Sequence, residues 1–174
     1  MNCWNVVLAG GVGSRFWPLS TPERPKQLLP LISESPMLQD TLERMRPLAP
    51  LSQTLVLTNA SLREAVLALE PALPPENVIA EPRPAGTCAA LAWAAQVIAQ
   101  RAGADAVMIC VHADWAIGDV GAYRATLTEA AQHETLDLVN VFRNAEDVPP
   151  VVDEAIALGT PALWLQLGIS HEAA

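Results

Sequence analysis

Positive charge is scarce in this chain, and so is charge altogether: 10 lysines and arginines stand against 19 aspartates and glutamates, the net charge is −9, and charged residues make up 17% of 174. So acidic a chain repels nucleic acid at long range and has no basic cluster to offset that, which excludes nucleic acid as a partner. A nucleotide would have to arrive with its own metal. Cysteine is nearly missing as well. Cys3, Cys88 and Cys110 are scattered without Cys-x-x-Cys spacing, which argues against a zinc site and a disulfide framework and leaves three small apolar fillers. No apolar run approaches the roughly 20 residues that span a bilayer, and no positively charged apolar leader opens the chain. The expectation is a cytoplasmic protein with no membrane partner.

What is abundant is apolar residues, at 51%, enough for a folded, well-buried α/β or α protein. The stretch that carries chemistry is Leu8 to Leu31, LAGGVGSRFWPLSTPERPKQLLPL. It leaves a β-branched run, Val6-Val7-Leu8, and enters a turn containing Gly10, Gly11 and Gly13. Without Cβ atoms these residues let several backbone N–H groups close on an anion such as a polyphosphate. Arg15 and Lys26 add cationic reach. A Walker A loop would end in Gly-Lys-Ser/Thr, whereas Ser14-Arg15-Phe16 follows Gly13. A Rossmann fingerprint would have a third glycine at Phe16 and an immediate helix, whereas Pro18, Pro22 and Pro25 keep the segment looped.

Apolar strands and helical stretches alternate along the rest. Strands are expected at Asn5 to Leu8, Thr54 to Leu57, Val78 to Ala80 and Ala106 to Val111, the last as a central strand. Ser35 is expected to cap a helix that Pro36 opens and that runs to Met45. Asn59-Ala60-Ser61 caps a second helix, Leu62 to Leu69, and Asp119 a fourth through Tyr123, Leu127 and Ala131. The third, Thr87 to Arg101, is apolar nearly all round, which predicts burial on every side, and Gly103 ends it. Such alternation predicts a mostly parallel sheet with helices on both faces, a three-layer α/β/α fold. Ligands bind such sheets beyond the strands' carboxyl ends, where the glycine turn, Glu81 and Asp114 all fall.

The glycine stretch resembles the signature of the sugar-1-phosphate nucleotidyltransferases, Gly-Gly-x-Gly-x-Arg-(Leu/Phe)-x-Pro-Leu followed by Pro-Lys. Ser20 and Lys26-Gln27-Leu28-Leu29 are most similar to the mannose-1-phosphate guanylyltransferase branch. The resemblance covers residues 1–131 and implies a truncated nucleotidyltransferase core of GT-A or Rossmann-like type. It implies transfer of a guanylyl group from GTP, or of a nucleotidyl group from another nucleoside triphosphate, to a sugar 1-phosphate, without a nucleophilic side chain. By the same resemblance, Leu8, Ala9, Gly10, Gly11, Gly13 and Ser14, with Glu81, Pro82, Gly86 and Thr87, would bind the nucleotide. Arg15 and Lys26 would be catalytic, and Asp114 would hold Mg²⁺. Two positions depart from the family pattern. Ala85-Gly86-Thr87 stands where the guanylyl branch usually has Arg-Asn-Thr, and Trp115 stands where a histidine usually follows the metal aspartate. His112 reads as a packed or solvent-facing imidazole.

After Ala131 the character changes. The family's sugar-binding half, with its second metal carboxylate, does not follow. Instead Leu136 to Ala174 resembles an internal piece of bacterial CoA-binding Rossmann-like domains, through Asp137 to Arg143, Val148-Pro149 and Trp164 to Gly168. Its own pattern reads as strand, helix and strand, expected to continue the first sheet as a 132–174 extension. Any sheet edge left uncovered favours a homo-oligomer. Alternatives to the transferase are a non-catalytic nucleotide- or CoA-binding module, or a chimeric reading frame without function.

Overall fold

The computed structural model of the chain describes residues 2–11, 16–21, 24–83, 86–132, 139–141, 148–157, 159 and 163–165, and of 139–141 and 163–165 it describes the backbone. Two compact units result, Met1–Ala131 and Gln132–Ala174.

In the first unit, strand β1 (Cys3–Leu8) alternates its side chains so that Cys3 and Val7 enter one apolar cluster while Trp4 and Val6 enter another. Burial on both faces is the mark of an inner parallel strand. It pairs in parallel with β2 (Thr54–Asn59), Val7 opposite Val56, and with β4 (Val107–His112), Val7 opposite Val111. Strand β2 pairs in turn with β3 (Val78–Glu81), so the order is β3-β2-β1-β4.

Parallel neighbours need crossover helices. Helices α1 (Met37–Met45) and α2 (Arg63–Leu69) carry the chain outward from β1 to β3, and Leu38, Leu42, Met45 and Val66 pack on one face of the sheet. Helix α3 (Thr87–Ala102) then brings it back to the far side of β1, placing Ala90, Ala94 and Ile98 on the opposite face with Leu55, Leu57 and Ile79. Helix α4 (Val120–Ala130) rejoins the first face through Tyr123 and Leu127. The α/β/α layering is as the sequence predicts. The reversal of direction puts the topological switch point between β1 and β4, where a crevice opens at the strands' carboxyl ends.

Three local expectations need correction. Ser35 does not cap α1: Pro36, with φ −55° and ψ 143°, takes the N-cap place without a side-chain hydrogen bond, while Ser33 Oγ donates to Asp40 Oδ2 at 2.7 Å. A proline fixed in an extended conformation holds the helix off by one residue. Strand β4 is not central but ends the described order, because the chain returns to the outer side of β1 and not between strands already paired. Helix α3 is buried on one side only, its buried residues being Ala90, Ala94 and Ile98. Alanine is apolar but is also the strongest helix former, so an alanine-rich stretch reports helicity more than burial.

The second unit has β5 (Val139–Val141), α5 (Val148–Ala157) and β6 (Leu163–Leu165), with Val139 opposite Leu163 in parallel. Pro149 and Pro150 fall in the first turn of α5, where their missing N–H groups cost nothing. Gly159, at φ 71°, takes the left-handed conformation that follows the helix. Within this unit the two strands pair with each other. Asp137 and Arg143 lie outside the described residues.

Candidate active site

The sheet fixes the chain on both sides of the switch point. Ala9 N–H donates to Leu57 O at 2.7 Å and Ala113 N–H to Leu8 O at 3.0 Å, so the ladders run one residue beyond β1 and β4. Gly10 and Asp114 come next, just past that hydrogen-bonded frame. Ala9 O accepts twice, from Gln27 Nε2 at 2.7 Å and from Thr58 Oγ1 at 3.1 Å, and Gln27 Nε2 also reaches Gly11 O at 3.0 Å. Gln27 sits in the single turn Lys26–Leu28 that follows Pro25. One buried amide therefore staples the glycine turn to the turn that carries the lysine.

Lys26 is the sole lysine of the chain. Its ammonium forms an ion pair with the Asp114 carboxylate, and the two side chains are 24% and 27% exposed. The Lys26 ammonium also lies 5.7 Å from the centre of the Phe16 ring. Across the crevice, a Cβ built on Gly10 would stand 3.5 Å from Glu81 Oε2, so the end of β3 faces the glycine turn at ordinary contact distance. Helix α3 points its first turn at the same space. Its N-cap, Gly86 at φ 86°, provides no side-chain hydrogen bond. Uncapped N–H groups and the positive end of the helix dipole suit an anion.

Leu8, Ala9, Gly10, Gly11, Lys26, Glu81, Gly86, Thr87 and Asp114 thus line one cavity of about 300 Å³. This volume lies at the small end of the range for small-molecule sites. Pro82 is exposed and is not among the lining residues. Gly13, Ser14 and Arg15 lie outside the described residues. Gln27, Asn59 and His112 also line the cavity without having been singled out for it. Only Gln27 carried a signal, its place directly after the lysine. The His112 ring lies against Trp115, centres 5.2 Å apart and planes at 32°, and both residues are exposed, so the imidazole faces solvent while also forming part of the wall.

Behind Asp114 a second set of polar groups is buried. Thr41 Oγ1 donates to Ala113 O at 3.3 Å, and Arg44 Nη2 donates to Thr41 Oγ1 at 2.8 Å and to Trp115 O at 3.3 Å. Burial pushes the Arg44 guanidinium below its usual value, with the nearby Tyr123 hydroxyl and Asp40 acting in the opposite direction. Burial also pushes the Cys110 thiol on β4 up to about 11.

A parallel sheet whose switch point opens on a glycine turn, a lysine, a carboxylate and a bare helix N-terminus defines an α/β protein with a crevice whose chemistry suits an anion. More narrowly, the chain belongs to the nucleotidyl transferase family, whose pattern matches residues 4–150. It is 37% identical over 127 residues to a mannose-1-phosphate guanylyltransferase of Sinorhizobium fredii, covering 72% of this chain and 25% of the relative. It is 36% identical to the xanthan biosynthesis protein XanB of Xanthomonas campestris, covering 72% of this chain and 27% of that one. A solved Thermus thermophilus structure, described as a mannose-1-phosphate geranyltransferase, superposes with a TM-score of 0.66 at 32% identity, over 83% of this chain and 43% of that one. The chain therefore spans about a quarter of the length of these curated relatives, 25% and 27%. Among the described residues no helix is long and apolar enough to cross a membrane.

Proposed function

We propose that the chain forms the triphosphate-holding part of an enzyme that transfers the guanylyl group of GTP to mannose 1-phosphate, giving GDP-mannose and pyrophosphate. The observation that carries this reading is the convergence of Gly10, Gly11, Lys26 and Asp114 on one cavity at the switch point. In-line attack of a sugar-phosphate oxygen on the α-phosphorus needs alignment and charge neutralisation more than it needs a nucleophilic side chain. Backbone N–H groups of the glycine turn and of the first turn of α3 hold the phosphates. Lys26 turns from Asp114 to the α-phosphoryl oxygens, where negative charge grows. Arg15, by the family resemblance, draws charge on the departing pyrophosphate. Glu81, facing Gly10, bounds the base side of the cavity.

The described residues offer no cluster of three or more metal-ligating side chains. That suits Mg²⁺, which takes one or two carboxylates and keeps phosphate oxygens and water as its other ligands. Asp114, partly exposed with Lys26 as its counter-ion, is the carboxylate that would hold it. When bound, the ion would neutralise phosphate charge and fix phosphate geometry.

Release of pyrophosphate from GTP and mannose 1-phosphate tests the reading, with a complete relative assayed alongside. GTP binding measured by calorimetry separates recognition from turnover. The other reading is a nucleotide-binding module without catalysis. That reading would give Mg²⁺-dependent GTP binding and no pyrophosphate. Absence of both sinks either reading.

A further inference from the structure

Arg44 is an expensive residue in its place. It is 7% exposed, forms no ion pair among the described residues, and its Nε is buried without a hydrogen-bond partner. The Tyr123 ring, centred 5.8 Å from its Cζ, offers a cation–π contact but no counter-charge. Asp40, one turn earlier on α1, offsets part of the desolvation cost without forming an ion pair, and a leucine or methionine would fill the volume with no such cost. What the apolar residues could not supply is the set of bonds that the guanidinium makes.

Those bonds converge on Asp114. Thr41 and Arg44 stand one turn apart on α1 and share a face. Arg44 reaches Trp115 O directly and Thr41 Oγ1 as well, and Thr41 passes its own proton to Ala113 O. The carbonyls gripped belong to the residues on either side of Asp114, and the Ala113 N–H is already tied to Leu8 O. The helix that provides the grip is itself held. Arg124, from α4, donates to Arg44 O at 2.7 Å and to Glu43 O at 3.2 Å, occupying carbonyls at the end of α1. The strand end that carries the carboxylate is thus anchored by side-chain donors from outside the sheet.

We propose that Arg44, acting with Thr41, is a positioning residue that fixes the backbone around Asp114 so that its carboxylate meets a Mg²⁺–nucleoside triphosphate in one orientation. This rests on the reading of Asp114 as the Mg²⁺ carboxylate. Groups that orient a metal ligand from behind commonly control metal affinity about 10- to 100-fold.

The test uses the full chain and calorimetric GTP binding across a Mg²⁺ series, at a temperature where melting curves show each variant folded. Arg44→Met and Thr41→Val should raise the Mg²⁺ concentration for half-maximal GTP binding by about tenfold or more, and leave GTP affinity in chelator unchanged. Arg44→Lys keeps the charge but not the fork, and should recover only part of the loss. If Arg44→Met folds poorly, Thr41→Val, close to threonine in volume, decides alone. Folded variants with an unchanged Mg²⁺ midpoint, beside a shifted one in Asp114→Asn, overturn the proposal while sparing the assignment of Asp114. A loss equal with and without Mg²⁺ also overturns it, since a general scaffold role would do that. Should Asp114→Asn itself leave the midpoint in place, the Mg²⁺ assignment fails and the positioning role falls with it.

Discussion

Helices α1 and α3 cover opposite faces of one sheet, and both serve the same crevice, but by different means. Helix α1 works through side chains: Leu38, Leu42 and Met45 lock it to the sheet while Thr41 and Arg44 reach the carbonyls around Asp114. Helix α3 works through backbone, aiming its uncapped first turn at the cavity while burying only Ala90, Ala94 and Ile98. A helix that delivers side chains must be held in register by deep packing. One that delivers its N-terminus needs only direction, and alanines give that cheaply.

Removing a packed side chain from each helix should expose this difference most strongly. Leu42, 1% exposed, sits between α1 and the sheet, and Leu42→Ala should cost about 2–5 kcal/mol through lost burial and an unfilled cavity. Trp93 on α3 is 43% exposed, so although it is a larger residue, Trp93→Ala should cost less than Leu42→Ala, about 1–2 kcal/mol. Urea midpoints at constant m-value measure both. Similar losses at the two positions would mean that α3 is packed as closely as α1.

The same contrast explains what could be read from the sequence. Gly10 and Gly11 could be found because an anion needs closely approaching backbone N–H groups, and Lys26 and Asp114 through the family resemblance; all four line the cavity. Asp119 could be read as a cap because a cap is a local bond, and it accepts from Ala122 N at 2.9 Å, whereas Asn59 accepts from Leu62 N at 3.1 Å as the cap of the short turn Ala60–Leu62 that precedes α2, not of α2 itself. Thr41 and Arg44 could not, since their partners Ala113 and Trp115 lie some seventy residues away and the helix pattern alone gives a threonine and an arginine no such role. Gln27 is hidden for the same reason, as its importance lies in the carbonyls of Ala9 and Gly11. The place of β4 at the end of the order depends on which side of β1 the chain returns to, and local composition is silent on that.

The two helix starts on either side of Asp114 sharpen the comparison at intermediate strength. Gly86 holds φ 86° and ψ 164°, a conformation nearly closed to residues with a Cβ, so Gly86→Ala should cost roughly 1–3 kcal/mol and redirect the first turn of α3. GTP binding should weaken with it. Asp119→Ala removes an ordinary side-chain cap from α4, whose helix does not aim at the cavity, and should cost about 1 kcal/mol with GTP affinity unchanged. If Gly86→Ala destabilises the fold but spares GTP affinity, the backbone of α3 does not hold the phosphates.

The mildest probe leaves the fold untouched and asks how well α3 covers its side of the sheet. Cys88 is exposed in the first turn of α3, whereas Cys110, on β4, packs against the cluster beneath that helix. Burial raises the Cys110 thiol to about 11 and pushes the Cys3 thiol up as well, so near neutral pH both are almost wholly in the unreactive protonated form. A thiol reagent at pH 8 should modify one cysteine quickly in the native protein and all three in denaturant. The raised value also fixes the sign of a pH effect. The Cys110 contribution to stability is fully present below its unfolded value of 9.0 and is lost as pH rises through the folded value of about 11. Tyr123, raised from 10.0 mainly by burial, declines in an overlapping range. Cys110→Ala should therefore flatten, without abolishing, the fall in urea midpoint above pH 9. Equal labelling rates at Cys88 and Cys110 in the folded chain would mean that α3 lifts from the sheet often enough to leave that face open, and that it is too loosely seated to aim its N-terminus at a phosphate.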